Sequence, residues 1–401
     1  MRLDDVSVRG SGHTPSKKHP EYWDGDIPWI SLKDTFRLDR GCITATTDTI
    51  TADGLAHSSA VLHPVGTVVL LRDAGIGKSG IMAANMAVSQ HFMAWRCGPQ
   101  LDNWFLYYYL QRMKPEFERI SNGSTIKTIG LDYFKQFTVP LPPITEQRSI
   151  AQTLREADDL ITTLESLIAK KQAIKQGVMQ QLLTGRSRLP GFSKPWTPVR
   201  LGDVGATYGG LTGKTKDDFG TGSATFITFL EVMAGPRLLG RSLTSVNVRS
   251  TERQNRVQRG DILFNGSSET PEEVALAAAV DYDPSPTTFL NSFCFGYRLR
   301  GEHSINPTYL AYFFRSGVGR ALVSILAQGA TRYNISKTKL MDMSPILPPF
   351  DEQRAIVEVL GSVEDEIDTL SIRLAKARDV KTGMMQELLT GRTRLTVEIA
   401  S

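Results

Sequence analysis

The residues of this 401-residue chain that could do chemistry are spaced in ways that defeat it. Asp73-Ala74-Gly75-Ile76-Gly77-Lys78-Ser79 follows a strand-like run and invites comparison with a loop whose backbone N–H groups wrap phosphates. That loop needs a glycine five positions before the glycine of its Gly-Lys pair, and Arg72 stands there. Gly209-Gly210-Leu211-Thr212-Gly213-Lys214-Thr215 fails in the same way, with Tyr208 in the required place. A nucleotide site is therefore not expected, and Lys78 and Lys214 read better as contacts to a phosphate backbone. The three cysteines, Cys42, Cys97 and Cys294, form no Cys-x-x-Cys pair and read as buried apolar thiols. Six histidines include no His-Glu-x-x-His, so no metal site is expected.

Asn306-Pro307-Thr308-Tyr309 is close to the Asn-Pro-Pro-Tyr tetrapeptide of amino-methyltransferases, but Thr308 replaces the second proline. No glycine-rich cofactor loop precedes it, and the segment reads as a helix start. Asp158-Asp159 falls on a long helical stretch, where a solvated face is the default reading. Nothing amounts to a catalytic site. Composition agrees with a folded chain of two or three domains, at 41% apolar and 22% charged residues. The longest apolar runs, such as Val68–Leu71, are far short of the roughly 20 residues that span a bilayer. The polar start, Met1-Arg2-Leu3-Asp4-Asp5, is no secretory signal, and a cytosolic location is expected. The net charge of +4 permits an acidic partner without demonstrating one.

The organisation comes from an internal repeat. Pro142-Pro143-Ile144-Thr145-Glu146-Gln147-Arg148 returns as Pro348-Pro349-Phe350-Asp351-Glu352-Gln353-Arg354. Met179-Gln180-Gln181-Leu182-Leu183-Thr184-Gly185-Arg186-Ser187-Arg188-Leu189 returns as Met385-Gln386-Glu387-Leu388-Leu389-Thr390-Gly391-Arg392-Thr393-Arg394-Leu395. Both pairs lie 206 residues apart without a gap, and about half the positions from 142 to 189 are identical. Weaker matches extend upstream. Gly123-Ser124-Thr125 answers to Gly329-Ala330-Thr331, Phe105–Tyr109 to Tyr309–Phe313, and Val65–Val69 to Arg259–Leu263. Each half reads as a variable globular domain followed by a better-matched helical segment: 1–141, 142–199, 200–347 and 348–401.

The matched segments predict long helices. Each follows a Pro-Pro pair, with Thr145 or Asp351 as N-cap, and stops at Gly185 or Gly391. Roughly 38 proline-free residues give about 55 Å of helix. Apolar residues alternate four and three apart: Ile150, Leu154, Ala157, Ile161, Leu164 and Ile168, then Ile356, Leu360, Val363, Ile367, Leu370 and Leu374. Packing of each helix on its own domain alone is the simpler alternative to pairing between the two. Acidic residues fill the first part of each helix and basic residues the last, so antiparallel pairing sets acid against base. The helix macrodipole favours the same distribution. Gly177 and Gly383 cost each helix up to about 1 kcal/mol and predict a close approach or a bend.

These residues carry a family likeness. The ordered motifs are Gly12-x-Thr14-Pro15-Ser16, Tyr22-Trp23-x-Gly25-x-Ile27-Pro28-Trp29-Ile30-Ser31, Val139-Pro140-Leu141-Pro142-Pro143-x-x-Glu146-Gln147 and Leu182-Leu183-Thr184-Gly185. The second half repeats the pattern with Gly329-Ala330-Thr331-x-x-Asn334-Ile335-Ser336 and Leu347-Pro348-Pro349-x-x-Glu352-Gln353, but offers only Phe226-Ile227-Thr228 for the aromatic run. Over essentially its whole length the chain resembles the DNA-specificity subunit of type I restriction-modification systems. The resemblance implies an α+β fold, with two target-recognition domains joined by two long antiparallel coiled-coil helices in a pseudo-two-fold repeat. It implies a non-catalytic subunit in which each domain reads one half of a bipartite site in double-stranded DNA. The helices would set the gap and bind two modification subunits, which methylate adenine with S-adenosylmethionine. Restriction subunits working with ATP and Mg would join the complex, and this chain would hold no cofactor. A self-contained methyltransferase or nuclease, and a coiled-coil interaction scaffold, are the alternatives.

Net charge by segment is +1, +3, +3 and −3 in chain order, so the globular domains are only weakly basic. Base readout favours Arg, Lys, Asn, Gln, Ser and Thr on loops. The candidates in the first domain are Thr14, Ser16, Lys17, Lys18, Arg72, Lys78, Ser79, Ser124, Thr125 and Lys127. In the second they are Lys214, Lys216, Asn265, Ser267, Ser268, Thr331 and Arg332.

Overall fold

The computed structural model describes residues 1–121, 128–240, 243–301, 305–329 and 333–395. The chain divides into two compact units: Met1–Ser166 with Ser371–Ser401, and Leu167–Leu370. Each unit thus takes its own globular part, part of its own long helix, and part of the helix from the other repeat.

In the first unit five strands lie in the order Ser7–Ser11, Phe92–Cys97, Val68–Leu71, Ser79–Met82, Cys42–Ile43. In the second the order is Gly205–Gly209, Cys294–Leu299, Ile262–Asn265, Ala277–Val280, Arg237–Leu238. The registers match as well. Val68 faces Trp95 and Ile81, as Ile262 faces Tyr297 and Ala279. The last strand of each sheet runs parallel to its neighbour and the others antiparallel. The central strands read as short continuous apolar runs because both their faces are covered. One face carries the helix Asn103–Arg112 or Pro307–Arg315, capped by Asp102 or Asn306. Asn306 accepts the Tyr309 N–H at 3.0 Å, so the Asn-Pro-Thr-Tyr run is a helix start. A smaller sheet follows in each unit, Trp23–Ile30 at its centre in the first and Phe219–Ile227 in the second.

That second strand corrects the weakness read into the second half. Trp23–Ile30 has a register shift between Trp23 and Ile27 opposite Ile50, and Phe219–Ile227 has one between Phe219 and Ala224 opposite Val246. The tryptophans are gone, but the bulged strand is not, and Phe219 and Phe226 meet edge to face at 5.0 Å as Trp23 and Trp29 do at 5.1 Å. Gly222, at φ +86°, allows the approach to Val246 that Gly25 makes to Ile50.

The long helices are Ile144–Leu182 and Phe350–Leu388, 39 residues each. They start one residue before the expected caps. Gln147 donates its N–H to the Pro143 carbonyl and Gln353 to that of Pro349, each at 3.0 Å, so the second proline takes the cap position and Thr145 and Asp351 lie inside. Gly185 and Gly391 end the helices with φ of +68° and +73°, a conformation open to glycine at little cost.

The seam is buried unevenly. Ile150 and Leu154 sit in the core of the first unit with Leu3, Trp95, Phe105 and Phe137, joined by Leu388 and Leu389 from the far end of the chain. Ile356 and Leu360 do the same in the second unit, with Leu182 and Leu183. Leu164 is buried, while Ile161, Ile168, Val363, Ile367, Leu370 and Leu374 are half-buried. Both readings of the seam therefore hold in part, since its outer ends pack on a globular domain and the other helix together.

Gly177 and Gly383 differ from expectation. A Cβ built on either meets nothing within 4 Å, so neither marks a close approach in this chain. Gly177→Ala and Gly383→Ala are each expected to raise stability by up to about 1 kcal/mol, measured by denaturant unfolding of the full chain. The thiols also differ from one another. Cys42 is exposed, Cys97 half-buried and Cys294 buried. Burial pushes the Cys97 and Cys294 thiols up to about 12. Among the described residues no helix is long and apolar enough to cross a membrane.

Candidate nucleic-acid interface

The repeated sequence motifs are explained at the helix ends. Glu146 is buried and takes a paired hydrogen bond from Arg394 at 2.6 and 2.5 Å. Glu352 is buried and takes the same fork from Arg188, 2.5 Å on both arms, with the Trp196 indole donating at 3.2 Å. The Glu of Pro-Pro-x-x-Glu-Gln thus meets the second Arg of Thr-Gly-Arg-x-Arg-Leu from the opposite repeat, in each unit alike. The adjacent glutamine closes the joint. Gln147 accepts the Asp102 N–H at 2.9 Å and donates to the Gln100 and Pro142 carbonyls, while Gln353 accepts the Asn306 N–H at 2.8 Å. Both glutamines cap the approach to the helix lying on the large sheet, so they fix that helix to the long one.

A second junction repeats too. Tyr108 donates its hydroxyl to Asp158 at 2.8 Å, and Lys381 reaches the same carboxylate at 2.5 Å. In the second unit Tyr312 donates to Glu364 at 2.6 Å, and Lys175 lies 2.6 Å from that carboxylate. Asp158 is therefore not the solvated face read from the sequence. Burial, then the adjoining carboxylate, pushes both phenols well above their ordinary range. Glu165–Arg378 in the first unit and Lys171–Glu366 in the second have no counterpart in the opposite repeat. Within each unit these pairs step down one helix as they step up the other, so the two segments run antiparallel, as the charge pattern predicted. Exposed pairs of this kind add little stability each, but they fix the direction.

At the far side of each large sheet, loops gather around the smaller sheet. In the first unit the 12–22 loop is pinned from several sides. Thr14 donates to the Gln90 side chain at 2.6 Å, the Trp29 indole to the His13 carbonyl at 3.1 Å, and the Trp23 indole to the Ser16 carbonyl at 3.4 Å. The aromatic motif is thus a support for the loop, and the two indoles meet edge to face at 5.1 Å. Ser16, Lys17 and Lys18 remain exposed on it.

The second unit builds the corresponding support from polar groups. Lys214, its side chain only 4% exposed, donates to the Asn247 carbonyl at 2.6 Å and pairs with Glu252. Gln254 accepts the Thr212 N–H at 3.1 Å and donates to its carbonyl at 2.8 Å, and Asn255 donates to the Gly209 carbonyl at 3.0 Å. The hydrogen bond from Lys214 comes first among the causes that hold the Glu252 carboxyl down to about 2. A carboxylate lowered in the fold adds its contribution above the unfolded value near 4.5 and loses it as pH falls toward 2, so the clasp is fully formed at neutral pH.

The candidate contact residues divide accordingly. Lys17, Lys18, Ser16 and Lys216 are exposed, and Thr14 and Lys214 position the loops that carry them. Arg72 is half-buried and donates to the Gln90 and Ile129 carbonyls, and Lys78 donates to that of Thr35 at 3.4 Å. The turn they flank is a hairpin, Gly77 N–H bonding to the Leu71 carbonyl at 3.0 Å, so its N–H groups are not arrayed for phosphate. Ser79 and Asn265 are corrections. Both lie fully buried in strands. Ser79 accepts from Gln111 at 2.7 Å, and Asn265 holds the Glu273 carbonyl and the Leu276 N–H at 2.9 and 2.6 Å. Ser267 and Ser268 are also buried, paired with Asn334 and Tyr333. All four are buried, unlike Lys17, Lys18 and Lys216. Ser124, Thr125, Lys127, Thr331 and Arg332 lie outside the described residues.

Sequence reasoning missed Gln254, Asn255 and Glu252, whose roles depend on a loop some forty residues away. It also missed the Tyr108–Asp158–Lys381 and Tyr312–Glu364–Lys175 junctions, though both were findable. Lys175 and Lys381, like Asp158 and Glu364, lie 206 positions apart.

Comparison with known proteins follows the same outline. The family described as type I restriction modification DNA specificity domain matches residues 1–176 and again 193–376. The MjaIX specificity subunit of Methanocaldococcus jannaschii is 32% identical over 162 residues, covering 40% of this chain and 38% of that one. The chain thus spans well under half the length of that relative. The MjaVIII specificity subunit of the same organism is 22% identical over 334 residues, covering 80% and 76%. Among solved structures, the S subunit of a type I restriction-modification system from M. genitalium superposes with a TM-score of 0.59 at 14% identity, covering 97% and 95%. The HsdS subunit from Thermoanaerobacter tengcongensis gives 0.52 at 16% identity, covering 98% and 96%.

Proposed function

This chain belongs to the type I restriction modification DNA specificity family, and from that premise we propose that it is the sequence-reading, non-catalytic subunit of such a complex. Each unit reads one part of a split site in double-stranded DNA through the loops around its smaller sheet. The paired helices set the distance between the two parts and carry the modification subunits, which supply S-adenosylmethionine chemistry on adenine. Restriction subunits with ATP and Mg complete the assembly, which acts in the cytoplasm.

One observation carries this reading. The same fold occurs twice, fastened to the helices by the same Glu–Arg fork and Tyr–carboxylate–Lys junction, yet the loops on the two smaller sheets are built from different residues. Fixed frames with unlike loops suit two unlike half-sites read at a set spacing. The weak charge of both domains agrees, since partner subunits then supply part of the phosphate neutralisation.

Exchanging residues 1–141 for the recognition domain of another family member tests it. With the modification subunits present, mapping of methylated adenines is expected to show one half-site changed, with the other half-site and the gap retained. Both half-sites changing together, or no methylation dependent on this chain, would overturn the reading.

A further inference from the structure

We propose that the loop Arg249–Arg256 is the principal DNA-contacting element of the second unit, with Arg249, Arg253 and Arg256 gripping the phosphates of the duplex. The proposal rests on the reading of the chain as a DNA reader and assigns the contact to residues outside the candidates drawn from the sequence.

Four observations converge on this loop. The three arginines are exposed, and their guanidiniums have no ion-pair or hydrogen-bond partner among the described residues. The one acid among them, Glu252, is taken up by Lys214 and Gln254, at 2.6 and 3.1 Å. The loop therefore presents three guanidiniums that no ion pair among the described residues neutralises, in a domain whose net charge is only +3.

Its backbone is held in place. Lys214 grips the Asn247 carbonyl, Gln254 clasps Thr212 from both sides, and Asn255 ties to Gly209. A loop ordered before binding loses less entropy when it meets the ligand. The Lys214 clasp thus places the arginines, which explains why a lysine expected to touch phosphate is buried instead.

The position also fits. The loop springs from the strand Thr244–Val246 and borders the small core of Leu211, Ala224, Phe226, Val246 and Phe289. That core shares no residue with the one that seats the long helices. Finally, the first unit has no equivalent. After Ile50, paired as Val246 is, its chain forms the short helix Ala52–Ala56 bearing Asp53 and no arginine.

Binding of the full chain, with its modification subunits, to a labelled duplex across a salt series tests the proposal. The R249A/R253A/R256A variant is expected to bind roughly tenfold or more weakly at low salt. Its slope of log affinity against log salt should be shallower by roughly 2 to 3, at about 0.9 for each phosphate no longer neutralised. Its thermal unfolding should stay close to wild type, since the three guanidiniums are exposed and make no hydrogen bond or ion pair among the described residues. The R249K/R253K/R256K variant should recover most of the slope, because phosphate neutralisation needs only charge. A folded alanine variant that keeps wild-type affinity and slope overturns this inference and leaves the DNA-reading function standing. A wild-type complex that binds no duplex at any salt removes that function itself.

Discussion

Leu389→Ala, near the C-terminus of the chain, is expected to destabilise the first globular unit by about 2–5 kcal/mol and leave the second nearly unchanged. Leu389 is 1% exposed and belongs to the core that holds Leu3, Trp95, Phe105 and Phe137, although it follows the second long helix in sequence. Truncating it leaves a cavity in a core that includes Trp95, Phe105, Tyr108, Phe117 and Phe134, large rings that collapse poorly around the lost volume. Hydrogen exchange resolves the outcome by region. Protection should fall across Val68–Leu71 and Phe92–Cys97 and persist across Ile262–Asn265 and Cys294–Leu299. The mirror substitution, Leu183→Ala, should reverse the pattern, because Leu183 packs with Ile262, Tyr309 and Leu360 in the second unit. If Leu389→Ala loosened the second unit instead, the exchange of helix ends between the repeats would be wrong.

That exchange also shows what the sequence could and could not disclose. The repeat was legible because its motifs stand at one fixed offset, and the same Glu, Gln and Arg residues recur where a buried Glu or Gln is held by fixed partners. Helix length and antiparallel sense were legible from proline spacing and charge order, since both are local properties of the helix. The helix cap was off by two residues, because the Pro143 and Pro349 carbonyls accept the first intrahelical bonds, and a cap position does not require a side-chain acceptor. The smaller sheet of the second unit was obscured because Phe219 and Phe226 stand where the first unit has Trp23 and Trp29, and an edge-to-face ring pair persists across that change of residue.

The DNA-touching residues were legible least, for a physical reason. Composition marks Lys, Arg, Asn and Ser as groups able to touch DNA, but the same groups satisfy buried backbone. Lys214 and Ser79 were drawn inward by distant partners, Glu252 and Gln111, and Asn265 by the nearby Glu273 carbonyl and Leu276 N–H. Arg253 and Arg256 were left outside because their acidic neighbour was already engaged. Exposure of a polar residue is decided by such competition, which no short window of sequence contains.

Deleting residues 167–173 and 367–373 together is expected to shorten the gap in the recognised DNA by about three base pairs while both half-sites keep their sequences. The two segments are matched by the antiparallel order set by Asp158–Lys381 and Glu165–Arg378 in one unit and Lys175–Glu364 in the other, all of which the deletion spares. Seven residues remove about 10.5 Å of helix, close to three steps at 3.4 Å. A heptad is near two whole turns, so each helix continues with a rotation of only about 20°, and the seam is preserved. The duplex behaves differently. Three base pairs turn it by about 0.3 of its roughly 10.5-pair repeat, so the shortened protein must twist its DNA to meet both half-sites. Methylation mapping should therefore report the shorter gap together with weaker binding and greater sensitivity to how easily the gap sequence twists. Removing seven residues from one helix only should cost more, because the forks Glu146–Arg394 and Glu352–Arg188 can no longer both close on helices of unequal length. An unaltered gap after the matched deletion, in a protein that still folds and directs methylation, would show that something other than these helices sets the spacing.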